Sequence, residues 1–178
     1  MTTAFLQREP EAADRERWRA ELAEAAPRTR HEGRVVLFVF RVGGERFGIE
    51  PTHLELTAPM PKLHGVPHRG PALAGMVNVR GAVTLCFSLP VILGSAPGAA
   101  ATQPMMLVLT CGTWRVACQV DAAEGVAELE HASLQPVPAT LHVAGRAKVK
   151  GIFPSNAGPD IAWLDAGSLF EAFEGAAR

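Results

Sequence analysis

Hydrophobic positions run along this chain in two phases, and both are strand-like from residue 34 onward. Val35 to Val42 is a nearly unbroken apolar run, the pattern of a strand buried on both faces. Gly43-Gly44 follows and predicts a hairpin, because two adjacent glycines supply the positive φ angles of a two-residue loop. Arg46-Phe47-Gly48-Ile49 returns with Phe47 and Ile49 on one face. His53 to Thr57 predicts a further short strand, and Pro59 to Pro71 a Pro/Gly-rich loop. Gly75 to Leu89 reads as strand, turn, strand, and Leu89 to Leu93 as a helical turn closed by Gly94. Residues 95–104 have linker composition.

The pattern then restarts. Met105 to Leu109 is apolar, Gly112 marks a turn, and Trp114 to Val120 alternates as the returning strand. Ile161 to Leu164 is a last strand, and Asp165 to Phe173 predicts a terminal helix capped by Asp165 or Ser168. At an offset of about 70 residues, Gly43–Phe47 aligns with Gly112–Val116, and Asn78-Val79-Arg80-Gly81 with Lys148-Val149-Lys150-Gly151. Gly43, Gly44, Gly75, Gly112 and Gly151 are the expected structural turns. The expectation is two similar small β-barrels sharing a buried face, since neither half buries enough surface alone.

The first 33 residues differ. Residues 10–26 predict a helix, with Pro10 in its first turn, Glu11 and Asp14 near its positive end, and Pro27 ending it. Trp18, Leu22 and Ala25 form a narrow apolar stripe, suited to packing on the domain or on a partner. The expected organisation is an extension over 1–33 and a domain over 34–178.

Composition narrows the function. The 178 residues carry a formal net charge of −1, which gives no electrostatic reason to bind nucleic acid or an anionic membrane. With 48% apolar residues most of the chain should fold. No stretch reaches the ~20 apolar residues that span a bilayer, and the N-terminus lacks a signal-peptide pattern, so a cytoplasmic protein is expected. Three cysteines, Cys86, Cys111 and Cys118, fall in apolar strand contexts and read as reduced core thiols. Walker A, G-x-G-x-x-G and G-x-S-x-G motifs are absent from the sequence. No His/Cys spacing suits a metal and no carboxylate pair suits acid–base work. Neither an enzyme, a metal nor a cofactor is expected. Arg80, between a β-branched residue and a turn glycine, is the one residue singled out: it reads equally as a charged turn residue, as a buttress to a local acid, or as an interface anchor, since Arg is enriched at hot spots.

The heptad Gly75-Met-Val-Asn-Val-Arg-Gly81 resembles the "G-V-x-N-[LV]-R-G" signature of CheW-like coupling proteins. Phe40 to Ile49 resembles the opening hairpin of that family, and Val120-Asp121-Ala122-Ala123-Glu124-Gly125-Val126 its "V-D-x-V-x-G-V" segment. The resemblance implies a mainly β fold of two intertwined SH3-like five-stranded barrels, with the N-terminal helix and a short C-terminal helix added. It also implies a non-catalytic adaptor between methyl-accepting chemoreceptor tips and the regulatory domain of a CheA-type histidine kinase, with other CheW-like proteins as further partners. The implied contact residues are Glu55, Leu56, Val77, Asn78, Val79, Arg80 and Gly81. Leu56 stands where the family often has an acid, with Glu55 beside it, and Ser88 where it has Asp. The Leu85-Cys86-Phe87-Ser88-Leu89 run and Arg17 to Leu22 resemble WspD-like coupling proteins of surface-sensing pathways that feed a diguanylate cyclase. Two alternatives stand beside the adaptor: a decoy that binds one partner only, and a small-molecule-binding barrel on the same fold.

Overall fold

Among the described residues ten strands form two five-stranded sheets, and the chain exchanges hairpins between them. A computed structural model describes residues 33–67, 70–95, 101–137, 147–155 and 158–177. The helix expected over 10–26 lies outside the described residues, as do residues 96–100 of the expected linker.

The first five strands are β1 (Arg34–Val42), β2 (Glu45–Ile49), β3 (Leu54–Pro59), β4 (Leu73–Val79) and β5 (Ala82–Phe87). The second five are β6 (Met105–Cys111), β7 (Trp114–Val120), β8 (Ala122–Glu130), β9 (Val149–Phe153) and β10 (Ile161–Leu164). A short helix α1 (Leu89–Leu93) follows β5, and α2 (Ala166–Ala177) follows β10. The strand orders are β8-β1-β2-β10-β9 and β3-β6-β7-β5-β4. The hairpin of the first half thus completes the sheet of the second, and the reverse. The strands of the two halves are intertwined.

This exchange explains the continuous apolar runs. Leu37 and Val39 on β1 fill the interior of barrel one, formed by β8-β1-β2-β10-β9, with Phe153 and Ile161; barrel two is formed by β3-β6-β7-β5-β4. The alternate residues Phe38, Phe40 and Val42 enter a central core shared with β5, β6, β7 and α2. On β6, Met106 and Val108 fill barrel two while Leu107 and Leu109 join that central core. A strand buried on both faces has no polar side to show.

Gly43-Gly44 and Gly112 sit in hairpin loops as expected, closed by the pairs Val42↔Glu45 and Cys111↔Trp114. Gly75 and Gly151 correct the expectation: both lie inside strands, in β4 and β9, and neither makes a turn. Their common cause is close approach. A Cβ on Gly151 would meet Leu134 Cδ1 at 2.6 Å and the Gln135 carbonyl at 2.9 Å, and one on Gly75 would strike the His64 carbonyl. Beside each glycine an isolated antiparallel bridge closes the barrel, His64↔Met76 in one and Gln135↔Ile152 in the other. Gly75 therefore corresponds to Gly151, and the alignment of Asn78–Gly81 with Lys148–Gly151 is displaced.

Asp165 caps α2, accepting from both the Ser168 N–H (2.9 Å) and its hydroxyl (2.7 Å). The hydroxyl bond, then the N–H bond, hold the Asp165 carboxyl below its ordinary value, and Lys150 adds to this. The stabilising contribution is present above the unfolded-state value and is lost as pH falls through the lower folded value. Asp165→Ala should cost about 1 kcal/mol at pH 7. Denaturant titrations should find that gap closing under strongly acidic conditions.

Cys86 and Cys118 are buried, and desolvation pushes the Cys86 thiol up to about 11 and that of Cys118 well above its usual value. A thiol reagent applied to folded protein should therefore leave both intact and modify half-buried Cys111 first. Rapid labelling of Cys86 or Cys118 without denaturant would contradict the burial.

Candidate functional site

The two barrels differ most at one end, where an arginine in β2 or β7 meets a bulged acid. In barrel one, Arg46 lies opposite Arg41 in the first hairpin; in barrel two, Arg115 lies opposite Thr110 in the equivalent hairpin. The β1–β8 ladder shifts register between Val39 and Phe40, and the extra residue is Glu124. The β3–β6 ladder shifts at the corresponding place, and the extra residue is Glu55. A bulge re-aims the added side chain. Each acid thereby reaches its arginine: Glu124 binds Arg46 at 2.8 and 2.9 Å, and Glu55 binds Arg115 at 2.7 and 2.9 Å. The second pair is bidentate, the strong geometry for a guanidinium and a carboxylate.

The symmetry then breaks. In barrel one, Arg46 Nη1 also donates to Ser155 Oγ (3.0 Å) and to the Pro159 carbonyl (3.2 Å), in the connection 154–160. In barrel two the corresponding connection is only Arg80-Gly81, and Arg115 Nη1 donates instead to Thr84 Oγ1 at 2.7 Å. Thr84 is 4% exposed, the one buried polar residue among those described. β5 and β7 run parallel, so the turns that precede them share one end of barrel two. Arg80, Glu55 and Arg115 gather there.

Arg80 has φ of +52° and Gly81 of +89°, so both loop residues are left-handed, as a type I′ turn requires. Arg80 is the one non-glycine with positive φ among the described residues. That conformation costs an L-residue about 1–2 kcal/mol. Asn78 Oδ1 accepts from the Gly81 N–H at 2.8 Å and locks the turn. Asn78 faces outward beside Val83, its partner in the ladder, which is 73% exposed. Trp114 at the start of β7 is 38% exposed. The end of barrel two thus offers a cation on a stiff turn with apolar surface nearby.

The arginine–acid pair fixes the local charge. Hydrogen bonding to Arg115 holds the Glu55 carboxyl below its ordinary value, and the charges of Arg115 and Arg80 reinforce this against some desolvation. The same bond raises Arg115. Among the described residues, the Arg80 guanidinium has no hydrogen-bond or ion-pair partner.

A family model for the CheW-like domain matches residues 36–174. The chain belongs to the CheW-like family. Among solved structures it is similar to the scaffolding protein TtCheW from Thermoanaerobacter tengcongensis, at 19% identity and a TM-score of 0.65, over 76% of this chain and 92% of that one. No curated protein matches the chain. CheW-like proteins are scaffolds rather than enzymes and generally couple receptors to CheA. No helix among the described residues is long and apolar enough to cross a membrane.

The family motif residues divide between face and core. Asn78, Arg80, Gly81 and Glu55 are exposed at the end of barrel two. Val77 and Val79 are buried at 1% and 3% in its interior, which corrects their reading as contact residues. Strand alternation sends them inward while Asn78 points out. Leu56 is half-buried and packs on that same interior, so the position the family often gives to an acid faces inward here. The sequence pattern alone does not mark Arg115 and Thr84. The available signal was a lone charge, Arg115, between Trp114 and Val116 in a strand otherwise bound for the core.

Proposed function

We propose that this CheW-like protein is a non-catalytic adaptor that joins methyl-accepting receptor tips to the regulatory domain of a CheA-type kinase. The observation that carries the reading is Arg80: a guanidinium with no hydrogen-bond or ion-pair partner among the described residues, held in a strained two-residue turn, inside the family's own motif. Strain kept at an exposed position points to use by a partner. The twofold plan supports two faces, because barrel one and barrel two present different ends on a body with one shared core. In this reading the protein works in the cytoplasm and reaches the membrane only through receptors. The run Leu85 to Leu89, with Ser88 before α1, supports placing it in a Wsp-type pathway that controls cyclic-di-GMP.

Separate titrations test this. Purified protein should bind the kinase regulatory domain and a receptor-tip fragment from the same organism, each without the other. Binding to one alone would favour the decoy reading. Binding to neither would remove the adaptor.

A further inference from the structure

We propose that Arg115 is a positioning residue: by holding Glu55 against β7, it keeps that carboxylate off Arg80 and leaves Arg80 open to a carboxylate carried by the partner. The proposal rests on the docking role of Arg80 given above.

Three charged groups share the end of barrel two, two arginines and one acid. One carboxylate has two oxygens, and Arg115 takes both, Nε to Oε2 and Nη2 to Oε1. Arg115 is itself anchored, since its Nη1 donates to the buried Thr84 hydroxyl. The Thr84 hydroxyl also lies 3.4 Å from the Ala82 carbonyl, in donating geometry, so it is tied to the strand that leaves the Arg80 turn. Glu55 is therefore clamped from one side by a planar fork whose remaining donor is fixed. Arg80 nonetheless acts on Glu55 through space, so it is the nearest alternative counter-ion. Remove Arg115 and the bulged carboxylate has one cation left to seek. Paired with Glu55, Arg80 would be neutralised.

Barrel one shows the contrasting solution. There Glu124 is shared by Arg46 and Arg41, with Arg41 Nε at 3.1 Å from it, and the connection 154–160 binds Arg46. No cation of that cluster is left over. The two ends share one Arg–Glu design, and among the described residues only barrel two keeps an arginine without a hydrogen-bond or ion-pair partner. The partner group it fits is a carboxylate. A partner arginine or lysine would meet two arginines and a single acid already engaged.

The test uses Arg115→Val, which places a good strand former in β7, and the double variant Arg115→Val/Glu55→Gln. Guanidinium 15N–1H spectra report on Arg80 without any partner. In the parent its Nε–H should exchange quickly. In Arg115→Val it should be protected and shifted, and in the double variant it should return to the parent position. Titration with the kinase regulatory domain and the receptor-tip fragment gives the second readout. For whichever partner Arg80→Glu disrupts, Arg115→Val should weaken binding about fivefold, the strength of one partly exposed ion pair, and adding Glu55→Gln to it should make binding tighter again than in Arg115→Val alone. Unchanged Arg80 signals in Arg115→Val would overturn the proposal, as would a double variant as weak as the single one. If Arg80→Glu affects neither partner, the docking role fails instead, and the spectra still decide where Glu55 goes.

Discussion

Arg80→Glu should weaken binding to at least one partner by about 30-fold or more, some 2 kcal/mol, without loss of fold. The size follows from reversing a charge at a central anchor, where a partner carboxylate would face glutamate. Arg80 is exposed and its guanidinium has no hydrogen-bond or ion-pair partner among the described residues, so thermal unfolding should stay near that of the parent. Arg80→Asn separates the two roles of the residue. Asn tolerates the left-handed turn, so this variant should be more stable by about 1 kcal/mol, or some 2–4 °C in Tm. It should nonetheless bind more weakly than the parent. A residue that lowers stability in place and raises affinity is the mark of a functional position. If Arg80→Asn gained stability and kept full affinity, Arg80 would be only a turn residue.

Much of this was legible in the sequence. The Gly43-Gly44 hairpin, the terminal helix with its Asp165 cap, and the existence of a repeat all follow from local patterns. Local patterns carry less about Gly75 and Gly151. A glycine marks either a positive φ or a close approach, and only the partner segment decides between them. Here the partners are His64 and Gln135, reached through loops that a one-dimensional pattern does not place. The Arg115–Glu55 clamp was hidden for a related reason. It joins residues 60 positions apart, across an exchange of hairpins between the two halves. The interior place of Val77 and Val79 does have a signal in the sequence, because alternation along β4 assigns them there once the strand is recognised.

Phe173→Ala should cause the largest loss of stability, about 3–5 kcal/mol. Phe173 is fully buried on α2, with its ring 4.9 Å from Phe87 and 5.4 Å from Phe170. Truncating it leaves a cavity in the central core, to which both sheets contribute. For a chain of this size the midpoint should fall by roughly 6–20 °C. Because that core is common, protection should be lost together in the hairpins β1–β2 and β6–β7 when amide exchange is followed residue by residue. Loss confined to one hairpin would mean the barrels are separate units, and the rigid linkage between their two ends would fail with it.

Sedimentation of a three-component mixture reaches furthest: this protein, the kinase regulatory domain and a receptor-tip fragment, with the protein limiting. One complex should form that contains all three, its formation should need the protein, and Arg80→Glu should dissolve it into pairs or free components. A mixture in which the two partners displace each other from the protein, or in which Arg80→Glu assembles as well as the parent, would contradict a scaffold working through the end of barrel two.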